Sequence, residues 1–427
     1  MLLPLSHAAR LGHAAGVPWV RALAVLWVAQ VVAEIGFSFA LPFIPLYVQE
    51  LGVPDVTDAG LWAGAMAGGF SLTMAAMGPL WGAAADRFGR RLMVQRAMFG
   101  ACIIIGAMGL VQTPVQLLVL RIVQGAFTGV VAATSTMVSL MAPRRHLGSA
   151  LGLMHAALFT GASLGPLLGG AFADHYGFRA SFAATAAIFL LAGALVTLFV
   201  PEPAREGMEQ DDVSVHRDGG AVGSPPPLSA PRLIHREILI VIILSAVIRV
   251  ANMAPQPILP LFVQSLGASP AGIATTVGAV VAASGIASTI SALLLGRISD
   301  RYGRRATLLV CLLAATVLSP LHALVTSVWQ LLLLRTALGF ALGGMFPAIQ
   351  AVLTDLTPAN RRGTAFGWLA TAGALGNGAG PVTGSALAAA FGITASFLAP
   401  APIFLASAVL LLILPSPKAR TQRGGNS

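Results

Sequence analysis

Apolar runs of about 20 residues alternate with short polar stretches along the whole chain. A run of that length, coiled as a helix, matches the hydrocarbon thickness of a bilayer. The pattern predicts spanning helices over 21–47, 59–81, 93–111, 115–141, 148–172 and 180–200. A second set follows over 237–263, 270–295, 306–326, 329–355, 363–390 and 395–414. Between the sets, Pro201 to Arg236 carries six acids and the run GGAVGSPPPLSAP. So charged and Pro/Gly-rich a segment cannot build a core and reads as a flexible linker. The expected organisation is an N-terminal segment 1–20, a six-helix bundle 21–200, a linker 201–236, a second six-helix bundle 237–414 and a tail 415–427. The fold class is an all-α polytopic membrane protein of twelve transmembrane helices in two six-helix repeats.

The repeat is legible residue by residue at an offset of 214–215. GAAADRFGRR (Gly82–Arg91) returns as GRISDRYGRR (Gly296–Arg305), PFIPLYVQELG (Pro42–Gly52) as PILPLFVQSLG (Pro257–Gly267), and QLLVLRIVQG (Gln116–Gly125) as QLLLLRTALG (Gln330–Gly339). Gly161, Gly165, Pro166 and Gly169 return as Gly376, Gly380, Pro381 and Gly384. Two similarly oriented halves are the architecture of a transporter that rocks about a central site.

Composition narrows the class. Of 427 residues, 56% are hydrophobic and 9% charged, where a soluble domain carries roughly 25% charged residues. The formal charge of +10 is a topology signal and not a nucleic-acid footprint. Of 25 Lys and Arg, 21 fall on the side that holds both termini, the linker and the two repeated loops. The positive-inside rule assigns that side to the cytoplasm. The first apolar run is long enough to span and reads as a helix, not a cleaved leader. Cys102 and Cys311 lie within apolar spans and read as packing residues. One Lys against 24 Arg suggests a GC-rich bacterial genome, hence the inner membrane. No phosphate loop, metal cluster or nucleophile–base pair is present, so neither an enzyme nor a cofactor is expected.

Charges inside spans are costly and usually face a cavity or a partner. Four occur: Glu34, Arg121, Arg249 and Arg335. Glu34 and Arg249 are repeat mates of opposite sign. Gln30, Glu34 and Ser38 share one helix face, as do Ser245, Arg249, Asn252 and Gln256, and a shorter stripe joins Arg121, Gln124 and Thr128. Glu34 is the candidate proton site, because burial and neighbours can load and unload a carboxylate. Arg249 and Arg121 stay charged and can tune that balance or bind an anion. The alternative is a permanent Glu34–Arg249 salt bridge fastening the halves. Arg335, His155 and His322 read as polar anchors.

The loop Gly82–Arg91 resembles the G-x-x-x-D-R-x-G-R-[RK] signature of the major facilitator superfamily. Arg121 in LRIVQG, GASLGPLLGG (Gly161–Gly170) and LPFIPLYVQELG are similar to the fourth-, fifth- and first-span motifs of its twelve-span drug:proton antiporter branch. The resemblance implies an antiporter motif at Gly161, Gly165, Pro166, Gly169 and Gly170. It also implies a cytoplasmic gate at Gly82, Asp86, Arg87, Gly89, Arg90, Arg91, Asp300, Arg301, Gly303 and Arg304. Asp86 and Asp300 could meet helix N-termini of the opposite half, spans eleven and five, when that side is closed. The first half departs from the pattern, because SLMAPRRH offers no acid to the loop arginine. In the second half Asp355 is available to Arg304.

The expected function is proton-coupled efflux of small amphiphilic compounds or drugs by alternating access, the chain acting as a monomer in the bilayer with both termini cytoplasmic. Export of a sugar, amino acid or other anionic or neutral metabolite is the alternative, and a membrane sensor that no longer transports is a third reading. Substrate and protons are the expected partners, and nucleic acid is not.

Overall fold

The computed structural model describes residues 18–128, 147–200, 236–357 and 362–413, together with 134, 137, 138 and 141. The expected N-terminal segment, the later part of span four, the linker and the tail lie outside the described residues, save a few at their edges. All regular structure among the described residues is helical.

Span one is Pro18–Ala40, a 3₁₀ turn Leu41–Phe43 and the helix Ile44–Glu50. Span two is Val56–Phe88, span three Arg90–Met108, and span four Pro114–Phe127 as far as that helix is described. Spans five and six form Leu147–Phe199, broken at Gly177. Span seven is Arg236–Met253 followed by Leu259–Ser265, span eight Ile273–Tyr302 and span nine Arg304–Leu321. Span ten is Val328–Gly343 with Met345–Leu356, span eleven Arg362–Phe391, and span twelve Ala395–Leu398 with Pro400–Ile413.

Two sequence expectations shift. Spans two and eight run well past their expected ends, so most of each repeated polar stretch is helix and only Gly89 and Gly303 interrupt it. Span seven stops at Met253, because Pro255 and Pro257 each remove a backbone donor, and Gln256 sits in the turn. The stripe from Ser245 to Gln256 therefore does not continue along one helix face.

Every positive-φ residue among the described residues is a glycine, and the six form three repeat pairs. They are Gly52 (φ 98°) with Gly267 (78°), Gly89 (99°) with Gly303 (101°), and Gly177 (82°) with Gly392 (88°). A β-carbon is strained in that region, so the halves share their chain reversals as well as their letters.

Seven described segments are long and apolar enough to cross a membrane, and Gly152–Phe199 among them holds two spans folded back at Gly177. The α-helices outside this set are Val56–Phe88, Arg236–Met253, Arg362–Phe391 and the short Pro114–Phe127 and Leu259–Ser265. Outward faces carry side chains such as Ile103 and Leu324, 73% and 74% exposed, as a lipid-facing surface requires.

The halves meet chiefly through two helix pairs, five with eight and eleven with two. A β-carbon on Gly278 would lie 2.1 Å from the Pro166 carbonyl oxygen, and one on Gly64 would lie 2.9 Å from that of Pro381. Gly285 abuts Ser163 and Gly378 abuts Ser71 in the same mated fashion. All these contacts lie toward the end opposite Gly89 and Gly303. There Asp174, at the end of span five, crosses to the start of span eight. It accepts from the backbone N–H of Ala274 (3.0 Å) and Thr275 (2.7 Å) and from the Thr275 hydroxyl (2.5 Å). Span two caps itself, Asp55 accepting from Thr57 and Asp58. Span eight has no side-chain cap of its own at Gly272, so the other half supplies it, with the favourable sign for a helix N-terminus.

Two outcomes follow from this packing. Gly169 faces the Phe39 carbonyl, where a β-carbon would lie 1.9 Å away, whereas Gly152 faces open space. Gly169→Val should lower the thermal stability of purified protein by several degrees, an overpacking cost of about 3 kcal/mol or more, and Gly152→Ala should leave it unchanged. Asp174→Ala removes charge-assisted bonds worth about 1.5–3 kcal/mol each from the closed end alone. Spin labels at Tyr176 and Ala271 should then show the separated population grow at least tenfold.

Candidate functional site

Because the halves touch at one end, they enclose a cavity of about 1000 Å³ that runs from Pro42 and Pro45 toward Ala85 and Arg96. Both halves line it: Glu34, Ser38, Arg121, Gln124 and Thr128 from the first, Gln256, Asn377 and Pro381 from the second. Most of the remaining wall is apolar, including Phe37, Phe70, Met74, Trp81, Phe127 and Met253.

The glycines of span five hold the wall at Glu34. A β-carbon on Gly161 would lie 2.4 Å from that of Glu34, and one on Gly165 would lie 2.7 Å from that of Ser38. The mates repeat this on the other side, with Gly376 against Arg249 and Gly380 against Met253. Gly161, Gly165 and Gly169 thus seat span one, and Gly170 faces Ala274 of span eight instead. Small residues allow this close helix approach.

Glu34 is the one acid among the described residues on the cavity wall. Its Oε1 accepts from Gln30 Nε2 at 3.2 Å, and Gln30 Oε1 accepts from the Thr134 hydroxyl at 2.8 Å. Gln30 itself is buried behind the wall. Among the described residues no ion pair joins Glu34 to Arg249. The alternative of a fastening salt bridge is thus not seen among the described residues, Glu34 lining the cavity and Arg249 lying off its wall. Arg249 instead lies over the Phe346 ring at 4.3 Å and reaches the cavity only through Asn377, donating to its Oδ1 at 3.4 Å.

Arg121 is buried, donates to Gln124 Oε1 at 2.5 Å, and lies 4.7 Å from the Phe70 ring centroid. Its Nε has no partner among the described residues. Asn252 lies outside the cavity in a small pocket with His322 and Arg335. His322 Nδ1 sits 3.0 Å from the Ser319 carbonyl oxygen, the ring stacks on Phe397, and Arg335 lies 5.2 Å from that same ring. The His155 side chain lies outside the described residues.

At the repeated loops, Arg304 Nη1 pairs with Asp355 and donates to the Ala351 carbonyl at 3.0 Å. In the first half Arg91 donates to the Thr197 carbonyl. The side chains of Asp86, Arg90, Asp300 and Arg301 lie outside what the structure describes. Three lining residues had no place in the sequence reading: Asn377, Trp81 and Arg96. Asn377 lies one residue after a repeated glycine, and Arg96 shares the spacing Met93, Arg96, Ala97 on one face of span three. Neither pattern stands out without the cavity.

The Major Facilitator Superfamily family model matches residues 26–272 and 241–427. "Multidrug resistance protein MdtG" of Salmonella paratyphi A is 34% identical over 394 residues, covering 92% of this chain and 94% of that protein. Among solved structures, a bacterial homolog of the human lysosomal transporter Spinster, inward-facing and unoccupied, superposes with a TM-score of 0.71 at 16% identity, over 94% of this chain and 96% of that one. A D-xylose-proton symporter reaches 0.71 at 17% identity, over 92% and 98%. The two-bundle helical fold, the paired chain reversals and these matches agree, and the chain belongs to the Major Facilitator Superfamily.

Proposed function

We propose that this protein exports small amphiphilic compounds in exchange for protons by alternating access. The observation that carries the reading is Glu34. Among the described residues it is the single acid in an apolar cavity shared by both halves, hydrogen-bonded by Gln30 and free of any ion pair. A carboxylate so placed is costly when ionised and inexpensive when protonated. Arg96 and Arg121 stay positive, so protonation of Glu34 takes the lining charge from +1 to +2. That change alters how the cavity holds its cargo and how readily the halves close over it. The multidrug name of the relative and the apolar wall support amphiphilic cargo.

The positive-inside reading puts the loops at Gly89 and Gly303 in the cytoplasm. On that orientation the cavity faces the cytoplasm, and Asp174 with the span five–eight and two–eleven contacts closes the periplasmic end. The opposite closure then belongs to the gate residues Gly82, Asp86, Arg87, Gly89, Arg90, Arg91, Asp300, Arg301, Gly303, Arg304 and Asp355. Arg304 and Asp355 already pair in the open state, so this pair orders the second-half loop before closure. The protein works as a monomer in a bacterial inner membrane, with both termini cytoplasmic.

Inverted vesicles with a pH-quenched dye and a compound panel test the reading. Wild type should release protons when substrate is added. Glu34→Gln fixes the site in its neutral form and should reduce that coupled exchange at least tenfold while still binding substrate. Exchange at the wild-type rate in this variant would falsify the role of Glu34.

A further inference from the structure

The cavity is not uniform along its length. Toward the repeated loops, span two presents Met74, Gly78, Trp81 and Gly82 to it, and span three presents Met93 and Arg96. Gly78 and Gly82 have open space where a β-carbon would stand, so the wall beside Trp81 is recessed. The indole is held from behind, Nε1 donating to the Ala126 carbonyl at 2.6 Å with Phe127 tilted against the ring. The Arg96 guanidinium lies over the indole face, its carbon 3.4 Å from the ring centroid.

This arginine makes no hydrogen bond or ion pair with any described residue, and its Nε and Nη1 are buried without a partner. A cation–π contact offsets part of the desolvation of a guanidinium, but it satisfies none of its N–H donors. Among the described residues that line the cavity the one acid is Glu34, which is on span one beside Gln30. The repeat mates of Trp81 and Arg96 are Leu295 and Val310, so the arrangement belongs to the first half alone and is not an inherited feature of the fold. Arginine presents planar paired donors suited to carboxylate, sulfonate or phosphate oxygens.

We propose that Arg96, held on Trp81, is an anionic-headgroup subsite of the cavity, and that the cargo is an amphiphile with one acidic group and an apolar or aromatic body. The headgroup oxygens take the unpartnered guanidinium donors while the body lies against Met74, Met93 and Phe127. This deepens the efflux reading, since it assigns a substrate class to the same cavity.

The test separates the two by measuring binding and flux independently. Two fluorescent probes share one aromatic body: 1-anilinonaphthalene-8-sulfonate carries a sulfonate and N-phenyl-1-naphthylamine does not. Binding is measured on the full chain in nanodiscs of zwitterionic lipid, with empty nanodiscs subtracted. Wild type should bind the sulfonate at least tenfold more tightly than the neutral probe. Arg96→Gln should collapse that ratio toward one, and Arg96→Lys, which keeps the charge, should preserve part of it. Equal affinities in wild type, or a ratio unchanged in Arg96→Gln, overturns the subsite. Vesicles that show no proton-linked flux of either probe would count against the efflux reading, while the binding ratio still decides the subsite.

Discussion

Close backbone approach at one end of the interface is the constraint on which the rest depends. Gly278 and Gly64 bring spans eight and two against the carbonyls at Pro166 and Pro381, and no side chain could be interposed there. Rigid helices that touch so closely near one end must diverge toward the other, and the divergence is the cavity. The same small residues explain why spans two and eleven fail a simple test for apolar membrane helices. Their faces are spent on helix–helix contact and on the cavity wall, not on lipid. Closure and cavity are thus two consequences of one packing choice.

Symmetry supplies that packing, and departures from it supply the chemistry. Paired glycines, paired chain reversals and paired helix contacts make the halves equivalent as scaffolds. Glu34 has Arg249, of opposite charge, as its mate, Asp174 has Ala389, and Arg96 has Val310. A clasp on one side of the pseudo-twofold axis ties only one of the two helix pairs together. One pair, five with eight, therefore carries a polar lock, while eleven with two relies on packing. An opening motion that began at the unlocked pair would meet less resistance.

The twelve spans, the repeat and the intramembrane charges were legible in the sequence, because hydropathy and self-similarity record them directly. Gly161, Gly165 and Gly169 stood out in the sequence as a repeated glycine series, and the structure packs span one against them with Glu34 opposite Gly161. What could not be read was which polar residues share a space. Helical spacing grouped Ser245, Arg249, Asn252 and Gln256, yet Ser245 is buried, Arg249 reaches Asn377, Asn252 faces a separate pocket and Gln256 faces the cavity from a turn. A periodicity argument fails at Pro255 and Pro257, where the helix that defines the period ends. Arg96 was counted as one more positive-inside arginine, since nothing along the chain says that Trp81 lies beneath it. The role of Asp174 could not be read along the chain, because a cap from another half leaves no local trace.

An acid-to-helix-terminus contact is the mechanical device at the closed end, and the gate proposed above would use the same device at the other. At the closed end Asp174 fills the first donors of span eight through three hydrogen bonds. In the gate proposed above, Asp86 and Asp300 would offer the same chemistry to spans eleven and five once the halves approach. A membrane interior offers no water to satisfy helix ends, but the two faces do, so each clasp exchanges hydration for a cross-half bond at little net cost. Small differences between the two ends then set which face is open. On the exchange mechanism proposed above, a cavity whose charge changes by one on protonation of Glu34 would need to tip only such a near balance, half a membrane away from either clasp.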